Sequence, residues 1–234
     1  MQYCSFGFSN CYVLGTDTDD TDSPRHVDSP HHTGSQRDAG SQRDAGSQRL
    51  ADFPRDAVIV DPGSMEIPML NFLENNEYQV RGILITHDHL NHVHGLRTLK
   101  RIYDVNIYAV NPVVQNHKTI VVRDGDTLKL GAINVSVITV PGHSSDSAVF
   151  RINKTLITGD TITAGLLGTT ISSYGKTKQM DGLRSKVLSL PGNYVVLPGH
   201  GPPSTLDSER HFNAGIQFYE ENKNKAPRFR VKFY

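Results

Sequence analysis

Four histidines lie within eight consecutive positions of the stretch ITHDHLNHVHG, which covers residues 85–95. The whole chain of 234 residues contains only 11 histidines, so this cluster is dense. Neutral imidazole is the commonest side-chain ligand of metal ions in proteins. The cluster therefore predicts a metal site. Its members are His87, His89, His92 and His94.

Three further residues of types that bind metal follow apolar segments farther along the chain. His143 follows VITVPG, Asp160 follows LITG, and His200 follows VVLPG. Each lies beside a glycine, which lets the backbone approach a neighbouring group closely. Each alone is a weak signal, because an isolated histidine after a turn is more often a surface residue. Together with three of the clustered histidines they provide five imidazoles and one carboxylate, which are enough donors for two cations.

Strand and helix signals alternate around these residues. GILITH is a buried-strand pattern, and HVHGLRTLKRIYD (92–104) has Leu96, Leu99 and Ile102 at helical spacing. Residues 87–91 therefore occupy the connection between them, where side chains can converge on one point. Helices are also predicted at 178–190 and near the end of the chain, with hairpin-like strands in the middle. Two mixed sheets packed face to face, with helices outside, would bury this α+β pattern.

The segment from residue 17 to about 54 differs in composition from the rest of the chain. It is rich in Asp, Ser, Gly, Arg and Pro, and the hexapeptide GSQRDA occupies 34–39 and again 40–45. Each repeat lacks a large apolar residue, so stacked repeats could not build a core. We interpret the segment as a disordered insert between two strands of a single domain that spans residues 1–234.

Charge and hydropathy limit the classes of partner. Lysine and arginine total 24, aspartate and glutamate also total 24, and the net charge is +0, so the chain is not expected to bind nucleic acid. No apolar stretch approaches the ~20 residues that a membrane span needs. The start of the chain lacks the basic and apolar regions of a signal peptide. We therefore expect a cytoplasmic protein whose two cysteines, Cys4 and Cys11, are free thiols.

The motifs THDHLNH, PGHSS, TGD and LPGHGP, in this order and spacing, resemble those of the metallo-β-lactamase superfamily. VIVDPG, which contains Asp61, resembles the supporting motif that precedes them. Within the superfamily, the chain is most similar to short hydroxyacylglutathione-hydrolase-like (glyoxalase II-like) proteins. This resemblance implies a four-layer αβ/βα sandwich with metal ions in a shallow groove at one edge of the two sheets.

The resemblance also assigns roles to the metal-binding residues. The first metal would be held by His87, His89 and His143, and the second by His92 and His200. Asp160 would bridge the two metals, and Asp61 would orient a ligand without binding metal itself. His94 matches no ligand position and is expected to form a hydrogen bond.

Asn91 is a departure from the superfamily motif, which carries an aspartate there. Asparagine keeps one coordinating oxygen but has no negative charge, so it would be a weaker ligand of the second metal. We expect Asn91 and Asp160 to act directly in catalysis, with Zn²⁺ tight at the first position and weaker at the second. Fe or Mn would also suit these donors.

Bound metal would supply hydroxide at neutral pH and polarise a carbonyl group, which predicts a hydrolase of the ester and thioester class. The likeness to the glutathione-thioester hydrolases favours a small anionic thioester as substrate. Lys176, Lys178 and Tyr174 are candidates for contacting its negative charge, although a purely structural role for this segment is equally compatible. Two alternatives remain: a mononuclear iron oxygenase acting on persulfides, and a metal-binding or regulatory protein of low activity. The oligomeric state is left open.

Overall fold

The computed structural model describes residues 9–16, 55–63 and 66–223. Its strands are β1 (Tyr12–Gly15), β2 (Arg55–Val60), β3 (Tyr78–Leu84), β4 (Ile107–Ala109), β5 (Val113–Val114), β6 (His117–Lys118), β7 (Ile120–Val121), β8 (Thr127–Leu130), β9 (Ile133–Thr139), β10 (Ala148–Ile152), β11 (Thr155–Gly159), β12 (Val195–Pro198) and β13 (Ser204–Thr205). Its helices are α1 (Ile67–Asn75), α2 (Leu90–Val93), α3 (Leu96–Ile102), α4 (Ser173–Gly182), α5 (Leu206–Phe212) and α6 (Ala214–Asn222). A π-helical turn, Leu183–Val187, continues α4.

The strands form two mixed sheets and a small separate hairpin. The first sheet has the order β1-β2-β3-β4-β7, in which β1 is antiparallel to β2 and the other neighbours are parallel. The second has the order β13-β12-β11-β10-β9-β8, in which only β11 and β12 are a parallel pair. Strands β5 and β6 pair only with each other. This arrangement confirms the predicted α+β class.

Three apolar clusters separate four layers of structure. The central cluster packs the sheets against each other and includes Val60 and Leu84 from the first sheet and Phe150 from the second. A second cluster packs the first sheet against α1, α2 and α3. A third packs the second sheet against α4, the π-helical turn, α5 and α6. Because every sheet face is covered, the chain forms the αβ/βα sandwich that the resemblance implies.

The helices differ from the sequence-based predictions at their ends. The helix expected from residue 92 is two short helices, α2 and α3, separated at His94 and Gly95. The helix predicted for 178–190 begins earlier, at Ser173, because the Ser172 hydroxyl caps it by accepting a hydrogen bond from the Gly175 N–H. The last helix breaks at Asn213, whose backbone is extended and whose side chain caps α6.

Cys11 packs in the cluster between the first sheet and its helices. Burial raises the pKa of its thiol to about 12, so the thiol stays protonated and unreactive near neutral pH. Cys11 is thus a free thiol, as expected from the sequence. Cys4 and the low-complexity segment lie outside the residues that the structure describes. Within the described ranges, no helix has both the length and the apolar character needed to cross a bilayer.

Removal of the low-complexity segment is expected to change stability little. The residues on either side of it belong to neighbouring antiparallel strands: Gly15 pairs with Ala57, and the Thr16 N–H donates to the Asp56 carbonyl over 2.8 Å. A short turn can therefore replace residues 17–54, and the cost of closing a loop changes only logarithmically with its length. Thermal melts and metal content of the deletion variant test this. A large loss of stability in the deletion variant would contradict the prediction. A variant with the segment's residues shuffled would then show whether the loss depends on the length or on the sequence of the segment.

Candidate metal centre

The candidate metal-site residues follow strands that all end at one edge of the sandwich. Strands β2 and β3 are parallel neighbours in the first sheet, and β9, β11 and β12 run in the same direction in the second. The carboxyl ends of strands with the same direction meet at the same sheet edge. The topology therefore gathers residues that lie far apart in the sequence. The residues at this edge are Asp61, His87, His89, His92, His143, Asp160 and His200.

One group of four residues could hold a first cation. One potential ligand atom from each of His87, His89, His143 and Asp160 lies within 4.8 Å of the others. Asp160 Oδ2 is 3.9 Å from His87 Nε2 and 3.6 Å from His143 Nε2. His143 Nε2 is 3.1 Å from His89 Nδ1. His89 therefore faces the group with Nδ1, whereas His87 and His143 face it with Nε2. The backbone of His89 is extended where it precedes α2.

A second group shares the same carboxylate. It consists of His92, Asp160 and His200. Asp160 Oδ1 is 3.4 Å from His92 Nε2, and Asp160 Oδ2 is 3.5 Å from His200 Nε2. A side chain at position 199 would collide with the Asp160 carboxylate and the His92 ring, so the glycine before His200 is required by this packing. Asp160 therefore stands between the two groups, where a bridging ligand would be.

The buried atoms of these groups fit a cation. His87 Nε2, His92 Nε2 and Asp160 Oδ1 are buried and have no hydrogen-bond partner among the described residues. Buried polar atoms without partners are rare because desolvation is costly. A divalent cation would satisfy all three, and imidazole with carboxylate suits zinc, iron and manganese.

Asp61 orients His92 and does not face the cation groups. Its carboxylate accepts hydrogen bonds from the Thr86 N–H at 2.8 Å, from the Thr86 hydroxyl at 2.6 Å and from His92 Nδ1 at 2.9 Å. With Nδ1 engaged, Nε2 is the nitrogen of His92 that faces Asp160 and would bind a cation. Asp61 has a φ of 49°, in the left-handed region that aspartate and asparagine tolerate better than most residues. Asp61 therefore lies beside a candidate ligand, and its supporting role stays a prediction. Thr86 has no signal in the sequence beyond its position before His87.

The local charges set the protonation of the ligands. Burial, aided by the neighbouring His92, lowers the pKa of His87 to about 3, which leaves this imidazole neutral and able to bind metal at pH 7. Burial also lowers the pKa of His92, but the Asp61 and Asp160 carboxylates outweigh this effect and raise it to about 9. Burial raises the pKa of Asp160, yet the close approach of the His200 and His92 rings holds it well below its ordinary value. Cation binding at His92 therefore releases a proton.

Asn91 lies at the second group. Its Nδ2 is 2.9 Å from His200 Nε2, and its backbone carbonyl accepts a hydrogen bond from the Ser9 hydroxyl. The carboxamide thus occupies the neighbourhood of the second cation position. His94 is exposed and belongs to neither group, and the hydrogen bond expected for its side chain is not seen among the described residues.

The three candidates for contacting substrate charge lie on α4. Lys176 Nζ is 5.0 Å from the centre of the Phe218 ring, and Lys178 Nζ is 5.7 Å from that of Tyr174. These are cation–π contacts at the protein surface. None of the three contacts a metal-binding residue in the part of the chain that the structure describes, so their predicted role in substrate binding has no direct support in these contacts.

Sequence comparison identifies the family. Residues 50–200 match the model of the metallo-beta-lactamase superfamily. An uncharacterized protein of Mycobacterium tuberculosis is 32% identical over 205 residues, which cover 72% of this chain and 91% of that protein. A hydroxyacylglutathione hydrolase of Yersinia enterocolitica is 32% identical over 152 residues, which cover 64% of this chain and 59% of that enzyme. The chain therefore spans little more than half of the hydrolase.

Structural comparison gives the same fold. The crystal structure of ETHE1 from Myxococcus xanthus superposes with a TM-score of 0.62 at 22% sequence identity, covering 74% of this chain and 82% of that one. At this identity the likeness concerns the fold alone. Since the family model, the sandwich fold and the histidine and aspartate groups at its edge agree, this chain belongs to the metallo-β-lactamase superfamily.

Proposed function

We propose that the protein is a metal-dependent hydrolase that cleaves a small anionic thioester. The observation that carries the proposal is the convergence of five histidines and Asp160 into two cation-binding groups that share one carboxylate. The buried, unpartnered nitrogens of His87 and His92 point to cations and not to a hydrogen-bonded polar cluster.

Some residues of the site would hold the cations, and another orients one of the ligands. His87, His89 and His143 would hold the first cation, His92 and His200 the second, and Asp160 both. Divalent cations in such a site supply hydroxide at neutral pH and polarise a carbonyl oxygen. Asp61 keeps the His92 ring in one orientation through their 2.9 Å contact. The low pKa of His87 keeps its imidazole available as a ligand over the whole physiological pH range.

The thioester class rests on the 32% identity to the Yersinia hydroxyacylglutathione hydrolase. That enzyme is longer than the matched region, so its substrate is carried to this chain only as a proposal. An iron-dependent oxygenase of persulfides is the competing activity, because the same imidazole and carboxylate donors also suit iron. Two histidines and Asp160 would be enough to hold a single iron.

A substrate panel with defined metals separates the two activities. Protein stripped by a chelator and then loaded with zinc, manganese or ferrous iron is assayed with a glutathione thioester, an uncharged thioester, a lactone and a phosphodiester. Thiol release measures thioester cleavage, and oxygen consumption with glutathione persulfide measures oxygenation. Metal-dependent thiol release, faster with the anionic thioester, supports the proposal. Oxygen uptake with iron and no thioester cleavage with any metal would replace it with the oxygenase.

The second cation position is proposed to be the weaker one because of Asn91. The first group offers three histidines and Asp160, whereas the second offers two histidines and the same shared carboxylate. The nearby carboxamide adds no negative charge, and its Nδ2 lies against the ring nitrogen of His200 that would bind the cation. Amide oxygen is also a poorer ligand for a transition metal than carboxylate. We therefore propose one tight cation and a second that binds only at higher metal concentration.

Replacement of Asn91 by aspartate is expected to strengthen the second site. The added carboxylate contributes a charged donor beside His200, so metal content should rise toward two ions per chain and thioester turnover should increase. Isothermal titration with zinc and metal analysis after dialysis measure the stoichiometry. Asn91→Ala is the matched control and should retain a single tight ion. If the natural protein already binds two ions tightly, and Asn91→Asp changes nothing, the asparagine is an adequate ligand.

A further inference from the structure

The loop between β11 and α4, residues 160–172, touches the metal centre at two points. The Thr169 carbonyl accepts a hydrogen bond from His143 Nδ1 at 2.7 Å, which leaves His143 Nε2 to face Asp160. A side chain at Gly168 would collide with the Asp160 carbonyl oxygen and lie 3.1 Å from His143 Nδ1. The orientation of a ligand of the first cation therefore depends on where this loop runs.

The corner between α5 and α6 holds the same loop. The Glu209 carboxylate accepts from the Gly165 N–H at 3.0 and 3.3 Å. Asn213 Nδ2 donates to the Leu166 carbonyl at 3.0 Å, and the Ala214 N–H donates to the Gly165 carbonyl at 2.9 Å. These hydrogen bonds fix the loop only three residues before Gly168.

Glu209 and Asn213 are buried and are fixed to each other. Glu209 is 1% exposed and Asn213 is 0% exposed. Asn213 Nδ2 donates to Glu209 Oε2 at 2.6 Å, and the Ser204 hydroxyl donates to Oε1 at 2.5 Å. Glu209 forms no salt bridge with a described lysine or arginine, so neutral donors alone satisfy its charge. Because a buried charge is costly without close hydrogen bonding, the carboxylate strongly restricts the position of its donors.

We infer that Glu209 and Asn213 are positioning residues of the metal centre. They act through the loop: the α5–α6 corner fixes Gly165 and Leu166, the loop then places Gly168 against Asp160, and the Thr169 carbonyl turns His143 toward the first cation. Neither residue contacts a ligand directly, and the effect is on metal affinity whatever the substrate. The inference therefore does not depend on thioester hydrolysis.

Arg210 offers a matched control on the same helix. Its guanidinium donates to the carbonyls of Leu188 and Gly192, each at 2.9 Å, and to that of Leu190. Arg210 thus fixes a different loop, which carries no metal-binding residue. Loss of Arg210 should free residues 188–192 from α5 and lower stability without moving residues 165–169. A purely structural role for Glu209 would make the two substitutions equivalent in their effect on metal binding.

Glu209→Gln is expected to lower the zinc affinity of the first site about tenfold, the lower end of the effect of residues that support metal ligands. The amide offers one acceptor oxygen where the carboxylate offers two, and its NH₂ group faces other donors. Competition with a chromophoric chelator measures the affinity, and the visible spectrum of the Co²⁺ protein reports the ligand geometry. Both should change in Glu209→Gln and stay unchanged in Arg210→Gln.

Gly168→Ala perturbs the same loop without touching the buried carboxylate. It should also lower zinc affinity and alter the Co²⁺ spectrum, so it tests the inference even if Glu209→Gln does not fold. Unchanged affinity and spectrum in Gly168→Ala, or in a folded Glu209→Gln protein, would overturn the inference. Equal losses of affinity in Glu209→Gln and Arg210→Gln would overturn it as well, since the effect would then follow general stability.

Discussion

Replacement of His87 by alanine is expected to abolish thioester hydrolysis and to remove the tightly bound cation. His87 is 1% exposed, and its Nε2 is a buried nitrogen with no hydrogen-bond partner among the described residues. Its neutral imidazole is a ligand of the proposed tight site. Metal analysis of the dialysed protein and the rate of thiol release from a glutathione thioester measure the two losses.

His94→Ala is the matched control for His87→Ala. His94 belongs to the same histidine cluster in the sequence, but its side chain is exposed and lies outside both cation groups. Its removal should leave metal content and turnover unchanged. Retention of a tight ion in His87→Ala would show that the remaining ligands suffice. Equal losses in both variants would show that the cluster binds metal in an arrangement different from the one described.

Replacement of Asp61 by alanine is expected to lower the free energy of unfolding by about 3–5 kcal/mol, the usual cost of removing one partner of a buried ion pair. The substitution leaves the buried His92 Nδ1 and two Thr86 donors without their acceptor. It should also weaken cation binding at His92 by about 10–100-fold, because the ring loses the group that orients it. Chemical denaturation of the metal-free protein measures stability, and zinc titration of Asn91→Asp with and without the Asp61 change measures affinity.

Asp61→Asn removes the negative charge of the Asp61 side chain and keeps its shape. Asparagine tolerates the left-handed backbone at this position and keeps one acceptor oxygen, so its stability loss should be smaller than that of Asp61→Ala. The affinity at His92 should still fall, since a neutral amide orients an imidazole less strongly than a carboxylate does. If Asp61→Ala unfolds at the same denaturant concentration as the natural protein, the three contacts of this carboxylate contribute little to folding.

The fold class was predictable from local patterns, but its element boundaries were not. Alternating strand and helix signals predicted two sheets with outer helices, because apolar periodicity records which faces must be buried. The break at Asn213 carried no such signal. Asparagine is acceptable within a helix, and it ends one here because its side chain caps α6 and reaches the Leu166 carbonyl, 47 residues away in the sequence.

The positions of the candidate metal ligands were also predictable, whereas their partners were not. His87, His89 and His92 could be chosen over His94 from their place in the motif, and the structure places His94 at the surface. Nothing in the sequence indicates that Thr169 orients His143, or that Asn91 Nδ2 lies against His200. The first contact joins two loops of the second sheet, and the second joins α2, which follows the first sheet, to the loop after β12 in the second sheet.

The sequence by itself determined which atoms are available to bind metal and that they lie just after the ends of strands. Five histidines and Asp160 follow apolar strands, and donor chemistry belongs to the side chains whatever their surroundings. Only the tertiary structure decided how these donors are divided and supported: Asp160 stands between two groups, Asp61 holds His92, and Glu209 holds the loop beside His143. The physical reason is the distance along the sequence over which each effect acts. Side-chain periodicity acts over a few residues, whereas Asp61 and His92 are 31 positions apart and Glu209 and Gly165 are 44 apart, so the packing of sheets and helices brings each pair together.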